Sequence, residues 1–210
     1  MGGVDQSAQT REVTPEQREA FRQVLAEAIG IVEGEGAPYL AAGSVASNHW
    51  GRPSAIGDID LLVDPTDAKR LLKAFDAVGF DTEVSDPMWL YKATKKDVTV
   101  DLIFEMEETM HLDEAMVGHG SIHEVEGTRV RLLSAEDFIV SQALSVGEDT
   151  PDYWYNALAV LAVSNVDWDY LVERARRGPR RVLSLLTFAQ STDLPIPEFA
   201  IRRLFEMIYR

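Results

Sequence analysis

At 210 residues and 46% hydrophobic composition, the chain is long enough to bury a full core, as one domain or two small ones. It has no cysteine, which excludes disulfides, thiolate zinc sites and cysteine nucleophiles. Its net charge of −15 is opposite in sign to that of a dedicated nucleic-acid binder, which draws most of its affinity from neutralising phosphates.

Residues 1–13 read as a flexible leader. Met1-Gly2 opens like a myristoylation site, but Gln6 stands where Ser or Thr is required, and no basic-then-apolar signal pattern follows. Thr14-Pro15-Glu16-Gln17 starts a helix, with Thr as cap, Pro in the first turn and Gln three residues after the cap. That helix should run to about Val32. Pro38 to Ala42 is a short apolar strand, Gly43-Ser44 opens a short helix to about Trp50, and the chain returns on a strand from Asp58 to Val63. Asp64-Pro65 starts an amphipathic helix with Leu71, Leu72 and Phe75 on its buried side and Gly79 closing it. Phe80 to Val84, Met88 to Thr94 and Val98 to Phe104 read as strands, the last two joined by a turn at Lys95-Lys96-Asp97. A short helix near Leu112 to Val117 precedes a hairpin, Ile122 to Val125 and Arg129 to Leu133, around Glu126-Gly127-Thr128. At Ser134-Ala135-Glu136-Asp137 the texture changes: a capped helix begins, and the remainder is helical in pattern, punctuated by Gly147, Gly178 and Pro195-Ile196-Pro197. The expected organisation is a leader (1–13), an α/β (α+β) unit with a mixed sheet (14–133) and a helical C-terminal unit (134–210). The longest apolar run, Ala157 to Val163, is far shorter than the ~20 residues of a spanning helix. A cytoplasmic protein without membrane contact is expected.

Two acidic strands carry the chemistry. Side chains two apart on a strand share a face. Asp58 and Asp60 therefore point one way, while Ile59, Leu61 and Val63 point into a core. On the later strand Val98, Val100, Leu102 and Phe104 take one face and Asp101 the other. If the two strands are neighbours, three carboxylates converge. Two unit charges ~4 Å apart repel by roughly 4 kcal/mol at an effective dielectric of about 20, so such a cluster calls for a cation. This is the geometry of a two-metal phosphoryl-transfer site.

Gly43-Ser44 with a short helix, then Asp58-x-Asp60, then Asp101, resembles the nucleotidyltransferase superfamily typified by DNA polymerase β, nearest to its minimal and AbiEii-like members. The motifs span roughly residues 37–105, and more loosely 134–165. The resemblance implies a nucleotidyltransferase palm followed by a helical half. It implies that Gly43 and Ser44 hold the triphosphate of a nucleoside triphosphate co-substrate. Asp58 and Asp60 would bind two magnesium ions, and Asp101 would share a metal and activate the acceptor hydroxyl. Gly43 lets backbone approach a phosphate, and Ser44 lies at a helix N-terminus, where free N–H groups favour anions. Lys92, on the strand beside that of Asp101, is the remaining candidate cation for the phosphates. Arg52, in a longer Arg52 to Ile56 segment than the tightest family pattern, is a candidate nucleotide or acceptor contact. A P-loop is excluded, because no Gly-x4-Gly-Lys-Ser/Thr occurs. The chain departs from AbiEii-like relatives at Gln142, where they carry a Lys, and at Asn156, where they carry an Asp.

Other residues take ordinary readings. Arg174, Arg176, Arg177, Arg180 and Arg181 form the one patch for a polyanion, but arginines at helix ends complement the dipole and Gly178-Pro179 breaks the chain there. His119 and His123 have metal-like spacing, yet Gly118 and Gly120 interrupt a helix and no third ligand is near. His49 sits by the Ser44 helix and reads as an ordinary exposed His, with contact to a base or acceptor as the alternative. Tyr153, Trp154 and Tyr155 read as packing aromatics. The reaction expected is magnesium-dependent transfer of a nucleoside monophosphate from a triphosphate to a hydroxyl of a small molecule or protein, with release of pyrophosphate. Alternatives are a toxin-type enzyme acting on tRNA 3′ ends, and a non-catalytic nucleotide sensor or toxin–antitoxin partner.

Overall fold

The computed structural model describes residues 13–51, 57–106, 110–145 and 152–209. The leader apart from its last residue, the Arg52 to Ile56 segment and Gly147 lie outside the described residues. Helix α1 (Pro15–Gly34) starts with a reciprocal capping box. The Thr14 hydroxyl accepts from the Gln17 N–H, and the Gln17 side chain accepts from the Thr14 N–H. Then follow β1 (Tyr39–Ala41), α2 (Gly43–His49), β2 (Ile59–Val63), α3 (Pro65–Ala77), β3 (Asp81–Asp86), β4 (Leu90–Lys95), β5 (Val98–Ile103), α4 (Glu114–His119), β6 (Ser121–Val125) and β7 (Thr128–Leu132). The remainder is helical: α5 (Ala135–Ser145), α6 (Asp152–Val163), α7 (Trp168–Arg174), a short 3₁₀ turn, α8 (Pro179–Ser191) and α9 (Glu198–Tyr209). No described helix is long and apolar enough to cross a membrane.

The strands make one mixed seven-stranded sheet in the order β3-β4-β5-β2-β1-β7-β6. β2 pairs parallel with β5, and β1 with β7; the other neighbours are antiparallel. Strand periodicity divides the side chains between two cores. Ile59, Leu61 and Val63 of β2, Val100 and Leu102 of β5, and Tyr91 and Ala93 of β4 pack under α1 and α3. Leu40 and Leu62 face the other way, into a core shared with the helices from α5 onward. Asp60, Asp101 and Lys92 alternate with the first set and so lie on the side of the sheet that faces those helices.

Several boundaries differ from the sequence expectation, each for a local reason. Met88 and Trp89 stand outside β4 because the Asp86 carboxylate accepts the Met88 N–H, turning the chain before the ladder begins. Asp113 caps α4 by accepting from the Met116 N–H, so that helix starts at Glu114 rather than Leu112. It continues through Gly118, which does not interrupt it. The β4–β5 and β6–β7 hairpins turn through residue pairs with positive φ, Lys96-Asp97 and Glu126-Gly127.

The helical half is tied to the sheet half by a buried ionic network. Ser134 caps α5 through the Asp137 N–H and donates its hydroxyl to Asp137 Oδ2. Asp137, fully buried, also accepts from Arg174 Nε at 2.6 Å and from the Tyr170 hydroxyl at 2.7 Å. Arg174 reaches on to Asp113 at the start of α4, where Arg177 joins it. Arg181 donates to the Leu144 carbonyl and Arg180 lies over the Tyr209 ring. Four of the five clustered arginines thus serve internal contacts. Removing one partner from a buried ion pair costs about 3–5 kcal/mol, because the other charge stays buried. Asp137→Ala should therefore lower the unfolding free energy by about that amount in urea denaturation. A loss below about 1 kcal/mol, the level of an exposed pair, would show the network to be dispensable.

Candidate active site

The site is built on one register row. Asp60 of β2 pairs with Asp101 of β5, and Asp101 pairs with Lys92 of β4. Three adjacent strands thus present carboxylate, carboxylate and ammonium side by side. Asp58 lies exposed just before β2, close enough to act electrostatically on both carboxylates. Gly43 opens α2 directly against Asp60: a Cβ at that position would lie 1.7 Å from Asp60 Oδ2, and its φ of +48° is one that L side chains resist. The Ser44 backbone N–H donates to the Asp60 carboxylate, and the Ser44 hydroxyl donates to the Asp58 carbonyl at 3.2 Å. The Gly-Ser turn therefore holds the acidic strand as well as bordering the site.

The electrostatics follow from burial and like charge. Burial, then the Asp101 and Asp58 charges, push Asp60 up to about 7 despite Lys92 and the Ser44 N–H. Burial also raises Asp101, with Asp58 adding, and together they outweigh the pull of Lys92. Burial opposes the Lys92 ammonium, yet Asp101, with Asp58 and Asp60 behind it, holds it above its ordinary value. Lys92 Nζ lies 2.8 and 3.0 Å from the two Asp101 oxygens, so it rests on the carboxylate rather than standing free for a phosphate. Among the described residues no three carboxylate or imidazole groups are gathered as a ready cation-binding set. The donors nonetheless suit a hard cation: three carboxylates without imidazole or thiolate, one of which, half-buried Asp60, is short of countercharge and partly protonated near neutrality.

Asp60 and Asp101 open into a cleft of about 740 Å³. The sheet side adds Gly43, Asp86, Met88, Trp89, Glu105 and Met106; α5 and α6 add Ser141, Gln142, Ser145 and Tyr153. Tyr153 is thus a cleft residue and not a packing aromatic, and Tyr155 is exposed; only Trp154 packs, edge to face on Phe188. Trp89 and Met88 were hidden in sequence by their resemblance to a strand start, although Asp86-Pro87 is a turn signal. Gln142 accepts from Asn156 Nδ2 at 3.0 Å, so the two departures from the AbiEii pattern form one neutral amide pair. His49 lies away from this cleft. It packs edge-on against Trp50 and tilted against His123 and borders a separate cavity, with burial and the neighbouring His123 lowering its pKa. His119 stacks instead on Tyr170, so His119 and His123 do not converge. Arg52 lies outside the described residues.

The raised Asp60 pKa has a definite sign in stability. An unfolded Asp titrates near 4. Folding therefore favours the protonated form, an advantage fully present below about pH 4 and lost as pH rises through about 7. In chelator-treated protein, Asp60→Asn should raise stability at pH 8 by on the order of 3–4 kcal/mol, with the gain shrinking toward zero near pH 4. Urea titrations at several pH values check this. A pH-independent difference would mean that Asp60 is not held near neutrality.

Residues 36–191 match the model of a family described as uncharacterised nucleotidyltransferase. No curated protein matches the chain by sequence. Among solved structures it is similar to an antigenic nucleotidyltransferase-like protein from Paracoccidioides brasiliensis, at 13% identity over 88% of this chain and 93% of that one, with a TM-score of 0.56. It is also similar to the antibiotic-resistance factor ANT(2'')-Ia, at 15% identity over 82% and 92% of the two chains, TM-score 0.50. A third is the lincomycin-bound lincosamide antibiotic adenylyltransferase LnuA, at 11% identity over 68% and 97%, TM-score 0.49. At these identities the likeness is one of fold alone. The family match runs from the end of α1 through α8, well over half of the chain, and the chain therefore belongs to this family of nucleotidyltransferases.

Proposed function

We propose that the protein transfers a nucleoside monophosphate from a nucleoside triphosphate to the hydroxyl of a small-molecule or protein acceptor, with magnesium as cofactor and release of pyrophosphate. The observation that carries this reading is the Asp60–Asp101–Lys92 row, with Gly43 lining the same cleft, Ser44 bonded to Asp60 and the Asp58 charge beside it. Asp58, Asp60 and Asp101 would hold the magnesium, which supplies neutralisation of triphosphate charge when bound. Gly43 and Ser44 border the phosphates, Lys92 adds a cation for them, and Arg52 remains a candidate nucleotide or acceptor contact. Asp101 takes the proton of the acceptor hydroxyl as its oxygen attacks the α-phosphorus. The bond from that phosphorus to the bridging oxygen breaks, and pyrophosphate leaves with the bonding pair. In this reading residues 14–133 form the catalytic unit and 134–210 a helical unit that closes the acceptor side.

The cleft walls support a non-polyanionic acceptor. Asp86 and Glu105 add two carboxylates, and no Lys or Arg is among its described lining residues, so an RNA backbone would meet repulsion there. Transfer to tRNA ends is the second enzymatic reading. A nucleotide sensor is the non-catalytic one, favoured only by the neutral Gln142–Asn156 pair.

Incubation with each labelled triphosphate, magnesium and a cell extract should place label in small molecules or protein; label in tRNA would overturn the acceptor assignment. Asp58→Asn and Asp60→Asn should each retain less than about a tenth of wild-type turnover. Asp101→Asn should bind a non-hydrolysable triphosphate within about tenfold of wild type. Its transfer should fall by on the order of 10²–10⁴, the share of proton transfer and nucleophile activation. Calorimetry beside a turnover assay separates the two, and unchanged turnover would remove Asp101 from the mechanism.

A further inference from the structure

Lys92 and Asp101 are directly paired across β4 and β5, and the ammonium takes both oxygens of a carboxylate that is 8% exposed. The proposed reaction requires those same oxygens for a cation and for the acceptor proton. At 2.8 and 3.0 Å the ammonium takes one acceptor site on each oxygen, and its charge, held against the carboxylate, opposes a cation there and competes for the lone pairs that remain. Among the described residues, Asp60, one strand away, has the Ser44 N–H as its hydrogen-bond donor, and the one ammonium bonded to the row sits on Asp101. The Lys92 side chain is 30% exposed and carries its charge on a flexible four-carbon stem, so the ammonium can follow a stronger anion without moving the strand. A triphosphate at the Gly43-Ser44 turn is such an anion.

We propose that Lys92 is an internal counter-ion that occupies Asp101 in the nucleotide-free protein and is drawn off by the bound triphosphate, so that Asp101 becomes available only after the nucleotide has arrived. The inference rests on the reading of Asp101 as the cation- and acceptor-facing carboxylate of a nucleotidyl-transfer site. It makes binding ordered: the three-carboxylate set is completed by nucleotide and not by the cation alone.

The test reads Mn2+ binding, by electron paramagnetic resonance of the free ion, with and without a non-hydrolysable nucleoside triphosphate analogue. Lys92→Gln keeps a hydrogen-bond donor and removes the charge. Without nucleotide it should bind Mn2+ at least about tenfold more tightly than wild type, equivalent to roughly 1.4 kcal/mol. With the analogue present, the difference should largely vanish. Lys92→Arg should behave as wild type, and Asp101→Asn added to Lys92→Gln should abolish the gain. Thermal melts establish that each variant is folded before its binding is read. Equal Mn2+ affinity of nucleotide-free wild type and Lys92→Gln would overturn the proposal. So would a difference that persists undiminished with the analogue, since Lys92 would then be a fixed background charge. Turnover enters neither measurement. A protein that shows this pattern but labels no acceptor keeps the lysine exchange and loses the transferase reading; one that transfers without the pattern does the reverse.

Discussion

The close approach of Asp60 to the bare backbone of Gly43 is the constraint on which the site depends. β1 ends at Ala41, and the chain must turn into α2 directly over the neighbouring acidic strand. Only a residue without Cβ leaves room for the Asp60 carboxylate, and the same residue supplies the left-handed backbone that the turn needs. The Ser44 N–H then bonds the carboxylate, and the Ser44 hydroxyl fixes the Asp58 carbonyl. Strand, turn and helix are therefore locked together beside the acidic row, at the point where the proposed reaction would bring phosphate to the carboxylates. The helix behind the turn has seven residues and no side-chain cap, which leaves the Ser44 N–H to bond the acidic strand.

Holding Asp60 beside Asp101 is unfavourable, and the rest of the fold absorbs that cost. β2 and β5 sit in the middle of the sheet, with Ile59, Leu61, Val100 and Leu102 fully buried beneath α1 and α3. Neither strand can shift register to separate the carboxylates without turning those side chains to the opposite face. On the cleft side, the Trp50 indole donates to the Leu133 carbonyl and ties the end of α2 to the start of α5. Asp137 and Arg174 then anchor α5 to α7 and to Asp113. Gln142 and Ser145 lie one and two turns further along α5, so this anchor positions the far wall of the cleft.

Elements with strong local signals were legible in the sequence. The capping box at Thr14, the β-branched runs of β2 and β5, and the change of texture at Ser134 each follow from short-range chemistry. That β2 and β5 are neighbours was conditional on strand order, which depends on long-range packing and is visible only in the sheet. Boundaries failed where side chains competed with the backbone, at Asp86 and Asp113. Within the candidate site, residue types and spacing indicated Asp58, Asp60, Asp101, Gly43, Ser44 and Lys92. They did not indicate that Lys92 would close on Asp101, because cross-strand register is invisible in spacing alone. Tyr153 read as a packing aromatic together with its neighbours, but of the three only Trp154 packs against the core.

The Gln142–Asn156 pair bears on how the cleft balances its charge. A Lys and an Asp at these positions, as the resemblance to AbiEii-like proteins would set them, could pair as ions across α5 and α6; the two amides keep a hydrogen bond at 3.0 Å and discard both charges. A buried ion pair is costly to desolvate and is often replaceable by neutral groups, so this exchange need not weaken the packing of α5 on α6. It does withdraw a possible cation from a cleft that holds Asp60, Asp86, Asp101 and Glu105. Of the cations among the described residues, Lys92 is the one bonded to this row of carboxylates. On the proposed reading, countercharge for the rest would arrive with what binds: a metal ion with the triphosphate, or positive charge on the acceptor. In the proposed reaction the acidity of the cleft would act as a selection on ligands, admitting a nucleotide in company with its cation and discriminating against an acceptor that is itself a polyanion.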